Sequence, residues 1–296
     1  MDGVAIKVRG LRKTYGGKKA VDDLDLTVHR GEVFALLGPN GAGKTTTVEI
    51  LEGYRRRDGG EVSVLGADPA GADAAWRSRV GIVLQGTGEF DDLRVEEVVR
   101  LFAGYYPSSD DPASVIDRVG LTEKRRALTH TLSGGQKRRL DVALGVIGRP
   151  ELLFLDEPTT GFDPEARREF WELIRQLAGG GTTILLTTHY LQEAEELADR
   201  VGVINGGRLV ASGLPSELGG RALQAAIVSW QGPTGLESAR TQTPTTFVHE
   251  LSARFPGGEV PGLTVSRPSL EDVYLSMIDN AMGLDLLEDT AATGEK

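Results

Sequence analysis

The sequence predicts an α/β protein: a parallel sheet covered by helices, followed by a small α+β extension. Three observations predict this. Short apolar runs rich in β-branched residues alternate with longer segments of helical period, the pattern of buried strands linked by crossover helices. A glycine-rich turn separates one such strand from the helix after it. A Gly- and Pro-bearing stretch at 213–220 then divides this pattern from a C-terminal part of different rhythm.

Taken in order, Val33–Leu37 reads as a strand running straight into the glycine-rich turn. Lys44–Tyr54 reads as the next helix, ending before a charged turn at Arg55–Gly60. Val80–Leu84, Leu152–Leu155, Thr183–Thr188 and Val201–Ile204 have the length and composition of further buried strands. Asn205-Gly206-Gly207 is a hairpin signal that leads into Arg208–Ala211. Between Gln85 and Pro150 the period turns helical, with helices expected at Leu93–Tyr106, Ala113–Val119 and Gly134–Ile147. This predicts a helical insertion at about 86–150 within a domain of residues 1–215. Over residues 216–284, strand-like Ala225–Trp230 and Leu263–Ser266 and helix-like Thr245–Phe255 and Leu270–Ala281 predict the small second domain. The acidic, polar tail 285–296 has too little apolar surface to fold and is predicted to be disordered.

Composition bounds the function. A chain of 296 residues, 40% hydrophobic and 26% charged, is globular and has room for a large domain with an appendage. No run approaches the ~18 apolar residues of a membrane helix. Met1–Arg9 lacks the apolar core of a signal peptide, which predicts a cytoplasmic protein. The absence of cysteine excludes disulfides and thiolate metal sites, and four widely spaced histidines argue against a His-only site. A net charge of −10 argues against nucleic acid as a main partner. A local basic patch remains open, for example around Arg55–Arg57 or Lys137–Arg139.

Gly38-Pro-Asn40-Gly41-Ala-Gly43-Lys44-Thr45 fits G-x-x-x-x-G-K-[ST], the Walker A loop. Gly38, Gly41 and Gly43 let the backbone turn tightly enough for successive N–H groups to converge on one anion. The helix opening at Lys44 aims the positive end of its dipole at the same point. Lys44 is suited to neutralise phosphate oxygens, the Thr45 hydroxyl to hold Mg²⁺, and the whole loop through Thr46 to hold Mg-ATP. The strand Leu152–Leu155 delivers two carboxylates at its C-terminal end, Asp156 and Glu157, where ligands bind in open α/β sheets. Asp156 is a candidate metal ligand, and Glu157 a candidate base for the attacking water. His189 and Gln85 end two other strands at the same edge. His189 is a candidate donor to the γ-phosphate, although a lone His after a strand is more often structural. Gln85 is a candidate contact to Mg²⁺ or the water.

Leu132-Ser133-Gly134-Gly135-Gln136 then makes the resemblance specific: it looks like the signature motif of ABC ATPases. Ser133 with its two glycines makes a second helix N-terminus suited to an anion. The resemblance, covering Val4 to about Pro215, implies a P-loop NTPase (RecA-like) core with an antiparallel β edge and an inserted helical subdomain. It implies that Ser133, Gly134, Gly135 and Gln136 serve the nucleotide of a second ATPase subunit in a head-to-tail dimer. It likewise implies Tyr15 against adenine, Gln85 as the Q-loop, His189 as the switch histidine and Asp163 in the D-loop, where Phe162 replaces the usual Leu. Gln136-Lys-Arg-Arg-Leu-Asp-Val-Ala and Pro268-Ser-Leu-Glu-Asp-Val-Tyr274 resemble the daunorubicin-resistance type of drug-export subunit. That resemblance implies ATP and Mg²⁺ as ligands and a separate transmembrane permease as partner. It also implies a location at the inner face of the plasma membrane, export of a drug-like or lipophilic solute, and a C-terminal domain that pairs or regulates subunits. An ABC ATPase of translation or repair, uncoupled from transport, is the alternative, and a regulatory ATP-binding subunit a further one. The intact Glu157, His189 and Gln136 speak against the latter.

Overall fold

The computed structural model describes residues 3–83, 90–218, 225–232, 235–266, 270, 271 and 274. They fall into two compact units, Met1–Ser212 and Gly213–Lys296. The first opens with two long antiparallel strands, β1 (Val4–Tyr15) and β2 (Lys18–His29). Among the described residues β1 also pairs antiparallel with β4 (Gly59–Val64), giving a three-stranded sheet of order β2-β1-β4. The resemblance implied this antiparallel edge, and it accompanies a six-stranded sheet of order β5-β6-β7-β3-β8-β9. Its strands are β3 (Val33–Leu37), β5 (Val80–Val83), β6 (Leu152–Asp156), β7 (Thr183–Thr188), β8 (Arg200–Asn205) and β9 (Arg208–Gly213).

All of β3 and most of β6, β7 and β8 are buried, which their unbroken apolar runs require of strands covered on both faces. Residues Ile6, Leu24, Phe34, Ile50 and Phe154 share one core cluster that joins the two sheets. β5, β6, β7, β3 and β8 run parallel. Their register sets Leu37 beside Thr188, and Asp156 beside Thr187, so the strand ends line one edge.

The helices are α1 (Lys44–Leu51), α2 (Ala74–Arg77), α3 (Val95–Ala103), α4 (Pro112–Arg118), α5 (Gly134–Val146), α6 (Pro164–Gly179) and α7 (Leu191–Leu197). Two of the expected helices in this unit are shorter than predicted, and the end of one expected strand lies outside the described residues. α1 stops at Leu51 rather than Tyr54, because Gly53 turns the chain into the left-handed region at φ 77°. The helix expected at Leu93–Tyr106 contracts to α3, and β5 is described only to Val83. α5 lies against β5 through two glycines: a Cβ on Gly81 would stand 2.3 Å from the Gly145 carbonyl oxygen, and one on Gly145 would stand 2.7 Å from Val83. Only hydrogen at both positions permits that approach.

The second unit holds β10 (Ala226–Gly232), β11 (Gly235–Thr241), α8 (Pro244–Ser252) and β12 (Thr264–Ser266). They form a sheet of order β11-β10-β12. Val228, Trp230, Leu251 and Val260 make its core, with Phe247 packed on Trp230 at 5.8 Å between ring centroids. The α8 helix stops at Ser252, short of the expected Phe255. The expected helix Leu270–Ala281, apart from Leu270, Glu271 and Tyr274, and the tail 285–296 lie outside the described residues. Among the described residues, no helix is long and apolar enough to cross a membrane.

Two stability predictions follow from this packing. Gly81→Ala forces α5 off β5 and is expected to cost about 1–3 kcal/mol, read as a lower urea midpoint; an unchanged midpoint would show that the helix does not sit on the strand. Glu52, buried just after α1, has its carboxyl pushed up to about 8 by loss of water and then by the charges of Asp156 and Glu49. A carboxyl with a raised folded pKa holds its proton longer than the unfolded chain does, so it lowers stability as pH rises from about 4.5 to about 8. Glu52→Gln should therefore gain on the parent across that interval, by at most about 1.4 kcal/mol per pH unit. Parallel denaturation curves at both ends of the interval would refute it.

Candidate functional site

The glycine-rich loop between β3 and α1 is shaped by close contact. Gly43 sits at φ 105°, and a Cβ there would stand 2.3 Å from the Ala20 carbonyl oxygen, so no other residue fits. The Lys44 side chain, 6% exposed, arches back so that Nζ donates to the carbonyls of Gly38 (2.7 Å) and Pro39 (3.2 Å). Burial lowers the Lys44 pKa, while the charges of Glu157 and Asp156 act in the opposite direction. The lysine and both carboxylates thus share one electrostatic neighbourhood. Asn40, Gly41 and Thr45 face solvent and Thr46 is half-buried, whereas Thr47 turns inward and donates to the Gly43 carbonyl at 2.8 Å.

The second half of the site is built where β6 ends. Thr187 Oγ1 donates to Asp156 Oδ1 at 2.5 Å, across the β6–β7 pairing. The next residue, Glu157, takes φ 42°, a left-handed conformation that costs a side-chain-bearing residue roughly 1–3 kcal/mol. Its surroundings hold it there. The Glu157 N–H is shared between the Thr187 carbonyl and Thr187 Oγ1, each at 3.1 Å. Arg138 of α5, 6% exposed, donates from Nη2 to the Asp156 carbonyl (2.7 Å) and from Nε to the Pro158 carbonyl (3.1 Å). The Glu157 carboxylate in turn accepts from Thr160 Oγ1 at 3.3 Å and stands 3.3 Å from His189 Nδ1. The His189 ring lies against Tyr190, 4.1 Å between centroids, and Arg167 covers the Tyr190 ring. Below them Glu193 is fully buried, its pKa raised by that burial, and accepts from Thr159 (2.8 Å) and Trp171 Nε1 (3.3 Å).

Ser133 caps α5. Its hydroxyl accepts from the Gln136 N–H at 3.3 Å, and Gln136 Oε1 accepts from the Ser133 N–H at 3.1 Å. This reciprocal box leaves the N–H groups of Gly134 and Gly135 without acceptors inside the helix. A cavity of about 340 Å³ opens between Gly134 and Lys137 of α5 and the loop Glu157–Phe162. Asp163 caps α6, accepting from Glu165 N–H (3.0 Å) and Ala166 N–H (2.9 Å), and Phe162 packs edge-on against Phe170 of its own chain. Tyr15, 40% exposed, lies beneath two cations, Lys13 Nζ at 5.4 Å and Arg55 at 5.3 Å from its ring centroid.

Lys44, Asp156, Glu157 and His189 are thus brought together, while Gln85 lies outside the described residues. Of the two basic runs, Arg55, Arg57, Arg138 and Arg139 are turned to partners within the chain. Helical spacing sends Arg138 inward and turns Arg139 to Glu169 and the Val119 carbonyl, and Arg55 and Arg57 pair with Glu49 and Asp68. Sequence reasoning missed Thr187, Glu193 and Arg138. The only signal for Arg138 is its place in a basic run, which points outward as readily as inward. The oxygens of the solvent-facing Thr45 and the half-buried Asp156 suit a hard cation such as Mg²⁺.

Comparison with known proteins identifies the family. The family described as "ABC transporter" matches residues 21–160. The daunorubicin resistance ATP-binding protein DrrA3 of Streptomyces coeruleorubidus is 45% identical over 74% of this chain and 71% of its own. The daunorubicin/doxorubicin resistance ATP-binding protein DrrA of Streptomyces peucetius is 38% identical over 92% of both chains. The Nod factor export ATP-binding protein I of Ralstonia nicotianae is 38% identical over 94% of both. Among solved structures, cbiO1 of Clostridium perfringens, part of an ABC transporter complex, superposes with a TM-score of 0.66 at 28% identity, covering 73% of this chain and 90% of that one. An ATP-binding cassette in its ADP conformation gives a TM-score of 0.64 at 21% identity over 72% and 92%, a likeness of fold. On these similarities and the site that carries them, the chain belongs to the ATP-binding subunits of ABC transporters and is an ATPase.

Proposed function

We propose that this ATPase powers export of a drug-like or lipophilic solute through a separate membrane permease, at the inner face of the plasma membrane. We also propose that two copies close head to tail around their nucleotides. The observation that carries the export reading is similarity over nearly the whole length, second unit included, to a daunorubicin/doxorubicin resistance protein. A Nod factor export protein of the same extent supports it. Residues 1–215 are the ATPase domain, 216–284 an accessory domain that pairs or regulates subunits, and the cargo is chosen by the permease. Leu101 of α3 and Tyr105 just beyond its end are exposed, and Tyr105 packs edge-on against Phe102, which also meets Phe90; they give the insertion a face for that permease.

In each copy, Tyr15 stacks on adenine and the loop Gly38–Thr46 wraps the phosphates. Lys44 swings from the Gly38 and Pro39 carbonyls to the β- and γ-phosphate oxygens, exchanging neutral acceptors for charged ones. Thr45 and Asp156, with Gln85, would hold Mg²⁺, which when bound would neutralise phosphate charge. Glu157 accepts a hydrogen bond from the attacking water and orients its lone pair toward the γ-phosphorus. The water oxygen bonds to that phosphorus as the bond to the bridging oxygen breaks, a water proton passes to the released phosphate, and ADP leaves. His189, held by Glu157 and Tyr190, donates to the γ-phosphate. Ser133, Gly134, Gly135 and Gln136 of the second copy seal the phosphate from the other side, and Asp163 lies at the seam. Closure drives the permease, because only the ATP-bound pair fills both sites.

Two substitutions test this. Glu157→Gln should retain ATP binding, lose turnover by about 10²-fold or more, and accumulate an ATP-bound dimer on gel filtration; normal turnover would remove Glu157 from its role. Ser133→Arg leaves the Lys44 cradle intact but blocks the mating surface, so nucleotide-driven dimerisation and hydrolysis should both fall. Hydrolysis at the parent rate by a protein that stays monomeric would rule out a shared site.

A further inference from the structure

The two carbonyls that flank Glu157 are both held by one side chain from another element. Arg138 projects from α5, roughly one and a half turns beyond the Ser133 cap, and is 6% exposed. Its Nη2 donates to the Asp156 carbonyl at 2.7 Å and its Nε to the Pro158 carbonyl at 3.1 Å. Between those carbonyls lies the left-handed Glu157, at φ 42°. Asp141, one turn on, stands 3.9 Å from Nη1 and keeps the buried guanidinium within reach of a counter-charge. A planar fork with fixed donor directions holds two carbonyls in one orientation, which a single ammonium group does not.

We infer that Arg138 is a positioning residue for hydrolysis: it clamps the carbonyls of the residues before and after Glu157 and makes the placement of that carboxylate depend on α5. The inference rests on the proposed role of Glu157 and adds a cause for its geometry. Without the clamp, Thr187 still takes the Glu157 N–H, but neither flanking carbonyl keeps its Arg138 donor, and the strained φ is free to relax. The consequence reaches beyond one site. The same helix begins with Ser133–Gln136, so a shift of α5 that accompanies docking of the second copy also moves the clamp on the first copy's own glutamate. Each protomer's hydrolytic carboxylate is thereby set by the helix that seals its neighbour's nucleotide.

The test uses the full chain with Arg138→Lys, which keeps the charge and loses the fork, and Arg138→Met, which keeps only the length. Steady-state ATP hydrolysis, equilibrium ATP binding and thermal melting are measured on each. A misplaced catalytic group costs on the order of 10²-fold in rate with little effect on binding. Arg138→Lys is therefore expected to lose about 10- to 100-fold in kcat, with KM and the ATP dissociation constant within about threefold of the parent. A purely structural arginine would lower the melting temperature while leaving kcat per folded molecule unchanged, and that result overturns the inference. If Arg138→Met does not fold, Arg138→Lys carries the test alone. The double variant Glu157→Gln with Arg138→Lys should be no slower than Glu157→Gln by itself, because the clamp acts through the carboxylate. Multiplicative losses would place Arg138 elsewhere and also overturn the inference. An active Arg138→Lys beside an inactive Glu157→Gln defeats the clamp alone, whereas undiminished turnover in Glu157→Gln defeats the role of Glu157 and the clamp with it.

Discussion

The parallel register of β3 and β6 on either side of β7 is the constraint from which the site derives. Because these strands run the same way, their carboxyl ends emerge at one edge, Leu37 next to Thr188 and Asp156 next to Thr187. Each end leaves the sheet with unpaired backbone groups and a change of direction, and there polar side chains can be presented without breaking the apolar interior. The strands are otherwise almost wholly buried and carry no chemistry of their own. Chemistry is confined to the edge because a charge farther down any of these strands would have neither water nor a partner.

That edge is electrically crowded. Burial lowers the pKa of Lys44 against the opposing charges of Glu157 and Asp156, and burial first, then the charges of Asp156 and Glu49, raises that of Glu52. Such an arrangement suits a ligand that brings its own dense negative charge and a cation to accompany it. Strain is concentrated in one residue, Glu157, and the groups that maintain it come from two different elements: Thr187 from β7 and Arg138 from α5. A conformation that a lone chain would relax is here over-determined by neighbours, as functional sites require of strained backbone.

Much of this was legible in the residues themselves. The apolar runs of β3, β6, β7 and β8 and the glycine-rich turn before α1 carry period and length, which are local properties. Lys44, Asp156, Glu157 and His189 could be named because each follows directly on such a run. β1 is harder to read, because its pairing slips between Val4 and Ile6 and again between Val8 and Leu11, which breaks the alternation that marks a strand. The start of α6 was visible in Asp163-Pro164, a capping residue with Pro at the first helical position, although the same Asp was read only for its place in a motif. Arg138 and Glu193 were out of reach for a different reason. Their partners are 18 to 34 residues away in sequence, and only the packing of α5 on β6 and of α7 against the loop after Glu157 turns surface-type residues into buried ones.

The placement of α5 ties these threads together. Gly81 and Gly145 let the helix approach β5 with no side chain between them, which fixes its distance from the sheet. Arg138 then reaches the neighbouring strand end and fixes its rotation, because a guanidinium bonded to two carbonyls cannot turn about the helix axis without losing one of them. The helix is thus held at two points, and its first residues, Gly134 and Gly135, present N–H groups with no acceptor inside the helix. On the clamp inferred above, whatever those groups bind is linked to the end of β6 through α5 and Arg138.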